Sequence, residues 1–364
     1  ALSHTLDEEG GAMSRMRSLS VGVAVGAAGL ALAIGGCGGP ASSSSGASSD
    51  TTSVAGGAAG GAAAGSLAGK TIALVGYGDT NPWGAAFNKQ FESKLGSTGL
   101  KITALTTQDS GTQVQYFNQA IAEKPGLIVT ALDDTKATVV PITLAKQAGI
   151  PVLVFDGPTD PSVANDVMSV LSDNEKLGEF AADNLIAGLK AQGRTSAKII
   201  VLTGTKAMLV TQDRMVGFDK VMATAPQYQV ASQQDANWDP TLSGQIAQQL
   251  IAKYGCAGVQ GAYGMADYMA LPIIAAAKQA GCTVGGKDGM VVTSSNCFKA
   301  GIGSIQAGQL YGTATEDPIT IANQVAGYVT QYLTGKNPPE HEVVQEARIT
   351  SANVAQYAAQ CGHA

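Results

Sequence analysis

Histidine is scarce in this chain of 364 residues, and tracts of basic residues are absent. The three histidines are His4, His341 and His363, and none of them follows a predicted strand where a crevice would form. A catalytic triad or an acid–base pair built on histidine therefore has no place in the sequence. The net charge of −6 and the lack of Lys/Arg blocks exclude nucleic acid as a partner. No spacing of His, Cys and Asp indicates a metal site, and no cofactor is expected.

The N-terminal part of the chain has the pattern of an export signal. Arg15 and Arg17 precede an uncharged, mostly apolar stretch over residues 19–34, which is short for a membrane span. Ile34-Gly35-Gly36-Cys37 resembles a lipobox, the sequence at which bacterial lipoproteins are lipidated on cysteine and cleaved just before it. We therefore expect Cys37 to be lipidated and the protein to be exported, to the periplasm or the outer face of the cytoplasmic membrane. An ordinary secretory signal with an unrelated cysteine is the alternative.

Composition divides the chain into four parts. Residues 38–69 consist almost entirely of Ser, Gly, Ala and Thr, with too few large apolar side chains to form a core. The residues that follow are numerous enough for two lobes. The predicted parts are upstream residues and a lipoprotein signal peptide at 1–36, a lipid-anchored tether at 37–69, an N-terminal lobe at 70–172 with about 316–338 returning to it, and a C-terminal lobe at 173–315 with about 345–364 returning to it.

From Lys70 onward, short β-rich runs alternate with segments of helical periodicity. The near-continuous apolar runs, such as residues 71–76 and 151–155, predict parallel sheets covered by helices on both faces. The alternation restarts with a helix at 175–190, a strand at 198–203 and a helix at 212–223. The sequence thus predicts an α/β fold of two doubly wound parallel-sheet lobes, with the chain crossing between them near 156–174, 231–238 and 313–318.

The residues that follow the strands carry the candidate site, because ligands of such sheets bind beyond the carboxyl ends of the strands. Tyr77 ends the first strand, and Asn81-Pro82-Trp83 opens the next helix. Asn81 suits a helix N-cap, whereas a tryptophan at this junction can stack on the C–H face of a sugar or polyol. Asp156 follows the fourth strand, where a carboxylate can accept hydrogen bonds from two hydroxyls.

These residues belong to an ordered set along the chain: Asn81-Pro82-Trp83, Asp156, Ser172-Asp173-Asn174, Gly204-Thr205, Arg214, Gly217-Phe218 and Trp238-Asp239. The set resembles the type I periplasmic sugar-binding proteins, the ribose-binding branch of the solute receptors of ABC importers. The resemblance covers Lys70 to Ala364 and implies two lobes joined by a multi-strand hinge. It also implies that Trp83 and Trp238, the two tryptophans of the chain, stack on the ligand, and that Arg214 donates to its hydroxyls. Tyr77 and Ser172 complete the implied site.

Four departures from the family pattern bear on the ligand. Gly157 stands where the family often has an arginine after the aspartate, and Ala266 stands where an asparagine is expected. Asn296 and its neighbours replace an aspartate, and Glu316 replaces a glutamine, so both are added to the candidate ligand-binding residues. The loss of an arginine and the gain of a carboxylate favour a small sugar alcohol or pentose over an anionic or amino sugar.

Four cysteines follow Cys37, an even number that suggests two disulfides in an exported chain. The preferred pairing is Cys256–Cys282 with Cys297–Cys361, because Cys256 and Cys282 each lie just upstream of a predicted strand. Four cysteines allow three pairings, and buried free thiols are a further alternative.

The sequence therefore predicts a monomeric solute-binding protein of a carbohydrate ABC importer. We expect it to bind a small neutral sugar or sugar alcohol by hinge closure and to present the closed form to the permease subunits. Two alternatives stay open, a receptor for a non-sugar solute such as a nucleoside, an amino acid or a signalling molecule, and an exported α/β enzyme. A cytoplasmic sugar-responsive repressor shares this fold, but an export signal and a tether stand where its DNA-binding domain would be.

Overall fold

The computed structural model describes residues 66–363, so the predictions for Cys37, the signal peptide and most of the tether lie outside the described residues. Each of two six-stranded sheets is covered by helices. The strands are β1 Thr71–Tyr77, β2 Lys101–Thr107, β3 Ile128–Thr130, β4 Val152–Asp156, β5 Met168–Ser172, β6 Ala197–Thr203, β7 Tyr228–Asp235, β8 Gly261–Gly264, β9 Val291–Thr293, β10 Leu310–Ala314, β11 His341–Val344 and β12 Arg348–Thr350. The helices are α1 Pro82–Gly96, α2 Ser110–Glu123, α3 Val139–Gln147, α4 Asn174–Ala191, α5 Leu209–Met222, α6 Pro240–Tyr254, α7 Asp267–Gln279, α8 Lys299–Gln306, α9 Pro318–Leu333 and α10 Val354–Tyr357.

The strand order confirms two doubly wound lobes. The first sheet runs β11-β5-β4-β3-β1-β2 with every pair parallel. The second runs β12-β10-β9-β8-β6-β7 and is parallel except at its edge, where β12 lies antiparallel to β10. The strand order reverses beside β1 in the first sheet and beside β6 in the second. Such a reversal opens a crevice at the carboxyl ends of the strands.

Local sequence explains where the helices next to this crevice begin. Asn81, Asp239 and Asp317 each cap a helix with their side-chain oxygen and are followed by proline at the first helical position. Proline fits there because its fixed φ suits the helix and its missing N–H would have no partner. The largest difference from a predicted helix start is in α5, which begins at Leu209, three residues before the predicted start at Gln212.

Three segments connect the two sheets. The first follows β5 at Asp173, the second links β10 to α9 over residues 315–317, and the third links β11 to β12 over residues 345–347. The second and third are bonded to each other, because Thr315 N donates to Ala347 O at 3.0 Å. The crossing predicted at 231–238 is wrong, since β7 belongs to the second sheet and the α6 helix after it packs on α7.

The structure contains the preferred cysteine pairing. Cys256 is joined to Cys282 and Cys297 to Cys361, with Cα–Cα distances of 5.2 and 4.9 Å. The second disulfide ties the C-terminal segment to the loop between β9 and α8. None of the described helices is long and apolar enough to cross a membrane.

Candidate functional site

A cavity lies between the two lobes at the carboxyl ends of their strands, in about 250 Å³ of space that is partly open to solvent. Its walls come from both lobes and from the connecting segment after β10. The residues that line it are Tyr77, Asn81, Trp83, Asp156, Met208, Val210, Arg214, Trp238, Tyr268, Asn296 and Glu316.

All but one of the ligand-binding residues expected from the sequence lie in this wall. The exception is Ser172, which is buried at the end of β5 but does not line the cavity. Sequence reasoning did not select Met208, Val210 or Tyr268. Met208 and Val210 follow β6 and Tyr268 follows β8, so the strand-end rule that selected Trp83 and Asp156 also applies to these three.

The first lobe contributes an aromatic wall. Trp83 stacks on Phe87 with ring centroids 5.4 Å apart and an interplanar angle of 10°, and Phe87 stacks in turn on Phe155 at 4.1 Å. Of these three rings only Trp83 lines the cavity, so the others form its support. The rigid backing keeps the indole face in place for stacking on an apolar face of a ligand.

Asn81 has the N-cap role considered for it from the sequence and a second role that was not considered. Its Oδ1 accepts hydrogen bonds from the backbone N–H groups of Trp83, at 2.9 Å, and Gly84, at 3.2 Å. The same oxygen accepts from the hydroxyl of Tyr268 in the second lobe at 3.4 Å. Asn81 therefore caps α1 and also bridges the two lobes at the cavity.

Asp156 lies in a strained turn at the end of β4. Its φ is 70°, and the N–H of Gly157 donates to Phe155 O at 3.0 Å across it, which defines a γ-turn of the rare positive-φ kind. Tyr77 Oη donates to Asp156 Oδ2 at 3.1 Å. Burial raises the pKa of Asp156 above its ordinary value, and the charge of Arg214 partly offsets this effect.

Backbone strain is concentrated at this cavity. Only five non-glycine residues among residues 66–363 have positive φ, and three of them, Asp156, Trp238 and Asn296, line it. Such conformations cost about 1–3 kcal/mol each and persist where the surrounding structure holds them. Their concentration here supports the cavity as the candidate functional site.

Arg214 is the central cation of the site and is fully buried. Its Nε donates to Asn174 Oδ1 at 2.8 Å and its Nη1 donates to Met265 O at 3.0 Å. Nη2 forms an ion pair with Glu316 Oε2 at 3.3 Å. Asn174 also donates to Asp156 O at 3.2 Å, so it connects the arginine of the second lobe to the aspartate of the first.

Glu316 brings a second carboxyl group into the cavity from the segment after β10. Asn296 Nδ2 donates to Glu316 Oε2, the same oxygen that faces Arg214. Burial, and then the neighbouring charge of Asp156, raises the pKa of Glu316 well above its usual range. Two carboxyl groups thus share one arginine, and protonation of one of them brings the site close to neutrality.

Trp238 forms the opposing wall in the second lobe. The guanidinium of Arg214 lies over its ring, 5.2 Å from the centroid, and its Nε1 donates to Met208 Sδ at 3.1 Å. A Cβ on Gly204 would overlap the indole, so the absence of a side chain at Gly204 lets Trp238 lie against the end of β6. The two tryptophans of the sequence both line the cavity.

Several buried polar atoms of the cavity residues have no protein hydrogen-bond partner. The acceptors are Asp156 Oδ1, Asn296 Oδ1 and Glu316 Oε1, and the donor is Trp83 Nε1. Because an unpartnered buried polar group costs about 1–3 kcal/mol, the set is suited to a ligand that supplies hydrogen bonds. With one proton on the carboxyl pair, one of these oxygens also donates, so the set suits a ligand whose hydroxyl groups both donate and accept.

A buried carboxyl group supports the loop that carries Asn296. Asp267, at the start of α7, accepts hydrogen bonds from Ser294 Oγ and from Thr313 Oγ1 at 2.6 Å, and from Phe298 N at 2.9 Å. Burial raises the pKa of Asp267 to about 7. Its partners lie on β10 and on both sides of Asn296, so Asp267 fixes the loop against the strand that leads to Glu316.

Comparison with known proteins gives the family. A periplasmic binding protein domain matches residues 72–337. The chain belongs to the periplasmic binding protein domain family. This membership implies an exported protein, and because the family is one of binding proteins it sets aside the enzyme alternative. Among the described residues, no cluster of three or more His, Cys, Asp or Glu side chains could hold a metal ion.

Relatives of this periplasmic binding protein are distant in sequence. A D-apiose import binding protein of Actinobacillus succinogenes is 24% identical over 266 residues, covering 73% of this chain and 82% of the relative. A D-ribose/D-allose-binding protein of Pseudomonas aeruginosa is 26% identical over 270 residues, covering 71% and 77%. The crystal structure of a galactofuranose binding protein matches with a TM-score of 0.73 at 18% identity, over 80% of this chain and 98% of that one, which shows a shared fold.

Proposed function

We propose that this periplasmic binding protein is the solute receptor of a carbohydrate ABC importer and binds a small neutral sugar or sugar alcohol between its lobes. The observation that carries the proposal is the cavity itself. Trp83 and Trp238 line it from the two lobes, with Asp156, Arg214 and Glu316 beside them. Flat aromatic surfaces together with charged hydrogen-bonding groups suit a ring with apolar faces and a polar rim.

The balance of charge supports a neutral ligand. Asp156 and Glu316 face one arginine, so an anionic ligand would add negative charge beside two carboxyl groups. The raised pKa values of both carboxyl groups favour one bound proton, which removes the excess negative charge that would attract a cation. A polyhydroxyl compound can form hydrogen bonds with the unpartnered atoms without adding charge.

The hydrogen-bonding capacity of the cavity is consistent with a monosaccharide. Each neutral hydrogen bond contributes roughly 1 kcal/mol and each one to a charged group roughly 1.5–3 kcal/mol. Several such bonds and two stacked rings are consistent with micromolar or tighter affinity. The names of the relatives, which include D-apiose, D-ribose and D-allose, point to the same class.

Hinge closure is the proposed mechanism. The lobes, taken as residues 70–172 with 316–338 and residues 173–315 with 345–364, move about the three connecting segments. Contacts from both lobes to one ligand exist together only in the closed form, so the ligand shifts the population towards it. The closed form is then recognised by the permease, and a lipid on Cys37 with the tether after it keeps the receptor near the membrane.

A thermal-shift screen tests the proposed function. A ligand that binds only the folded state raises the melting temperature by mass action. We expect a rise with at least one neutral pentose, hexose or C4–C6 polyol, and none with sugar phosphates or sugar acids. A response confined to amino acids or nucleosides would move the protein to a different solute class.

A further inference from the structure

Gly157 and Val210 form a close contact between the lobes at the edge of the cavity. Gly157 follows Asp156 at the end of β4, and Val210 lies in the first turn of α5 in the second lobe. A Cβ built on Gly157 would approach Val210 Cγ2 more closely than real Cβ atoms approach other heavy atoms. A side chain at residue 157 therefore requires Val210 to move while the lobes are in this arrangement.

The requirement for glycine comes from this contact and not from the backbone. Gly157 is absent from the glycines with positive φ, so its φ lies in the range that alanine also adopts. A substitution at this position therefore tests the approach of the two lobes separately from any effect of a positive φ. An arginine at position 157, which the family pattern often has after the aspartate, would meet Val210 in the same way.

The contact bears directly on the ligand site. Val210 is 4% exposed and lines the cavity together with Asp156. Gly157 also closes the γ-turn that holds Asp156, through its N–H to Phe155 O. Any displacement of residue 157 by Val210 would move the Asp156 carboxylate or keep the lobes apart, and both changes reduce contacts to a bound ligand.

We propose that the Gly157–Val210 contact determines the specificity of this receptor by setting how far the lobes close and how much space remains beside Asp156. The proposal rests on the proposed function, because it concerns the ligand of the same cavity. Closure brings the Val210 methyl groups to the backbone of residue 157, and the valine then limits the size of the ligand next to the carboxylate.

A double-mutant cycle tests the proposal. Wild type, Gly157→Ala, Val210→Ala, the double variant and Gly303→Ala are titrated with D-ribose and D-allose, with tryptophan fluorescence as the signal. Gly303 is the matched control, because it lies in α8 of the second lobe and a Cβ there meets no heavy atom within 4 Å. Urea unfolding of each ligand-free protein shows whether a variant has lost its fold.

We expect Gly157→Ala to raise the Kd at least tenfold without lowering the unfolding midpoint. In the double variant, the added Val210→Ala should restore the Kd to within threefold of the wild-type value. Gly303→Ala should bind as wild type does. Val210→Ala alone should shift the Kd ratio at least threefold towards D-allose. An unchanged Kd in Gly157→Ala, or a loss that Val210→Ala does not rescue, would overturn the inference while the proposed function stands. Wild type that binds neither these sugars nor any polyol would overturn both.

Discussion

Arg214 and Glu316 form an ion pair whose two side chains are 2% and 1% exposed, with 3.3 Å between Nη2 and Oε2. The arginine belongs to the second lobe and the glutamate to a segment that returns to the first. Removing two charges from water is costly, and the site offsets this cost with the bonds from Arg214 to Asn174 and Met265. The pair therefore depends on the whole polar network around it.

Removal of the arginine should expose this dependence. We expect Arg214→Ala to abolish ligand binding and to lower the free energy of unfolding by about 3–5 kcal/mol, because a buried carboxyl group loses its partner. Adding Glu316→Gln to this variant should recover part of the lost unfolding free energy, which is measured by urea unfolding followed by circular dichroism. Lys220→Ala, which breaks an ion pair to Glu179 on the surface, should have a far smaller effect. Strictly additive losses in the Arg214/Glu316 double variant would show that the two residues are not coupled.

The buried carboxyl group of Asp133 predicts a pH dependence of stability. Burial, and secondarily the charge of Asp109, raises the pKa of Asp133 to about 7 in the folded protein, against about 3.9 when unfolded. The folded state therefore binds more protons between these pH values, and stability falls as pH rises from about 4 to 7.

Asp133→Asn removes this titration and should make the dependence less steep. At pH 8 the variant should gain unfolding free energy, up to about 4 kcal/mol from three pH units at 1.36 kcal/mol each. Asp267 and Glu346, whose pKa values burial also raises to about 7, keep the remaining slope in the same direction. The exposed Glu92→Gln serves as the control. Parallel pH profiles for wild type and Asp133→Asn from chemical denaturation would contradict the assignment.

Removal of the two disulfides should differ in its effect on ligand affinity. They close loops of 26 and 64 residues, so removing either should lower stability by about 3–4 kcal/mol. Cys297 directly follows Asn296, whose φ of 78° has to be held by its surroundings. We expect the Cys297→Ser/Cys361→Ser variant to bind the sugar selected by the thermal-shift screen more weakly than wild type. The Cys256→Ser/Cys282→Ser variant is the control, and equal affinities in the two variants would argue against a positioning role for Cys297.

The sequence predicted most of the fold because its signals are local. The apolar strands β1 and β4 and the periodic helices α1 and α4 lie within about one residue of their predicted positions. The antiparallel edge strand β12 has three residues and exists only through pairing with β10, which is a long-range contact that local periodicity does not encode. The connecting segment at residues 345–347 was not among the predicted crossings for the same reason, and a crossing was predicted wrongly at 231–238.

Most of the residues that line the candidate site were also predicted from the sequence. Trp83 and Asp156 were selected because parallel sheets place ligands beyond their strand ends, and Trp238 because the resemblance to the sugar-binding family implies a second stacking ring. The positive φ of Asp156 and the approach of Val210 to Gly157 depend on the packing of the two lobes, so no local sequence pattern predicts them. Val210 was also hidden by the late predicted start of α5.

Tryptophan fluorescence gives the most direct test of the central claim, that a neutral sugar binds between Trp83 and Trp238. Both tryptophans of the chain line the cavity, so any ligand-induced change in the emission reports on this site. Wild type, Asp156→Ala and the exposed control Asp288→Ala are titrated with the sugar that the thermal-shift screen selects. We expect a saturable change in wild type and Asp288→Ala, and at least a hundredfold weaker response in Asp156→Ala. A saturable response of equal affinity in Asp156→Ala, or no change in wild type, would contradict the claim.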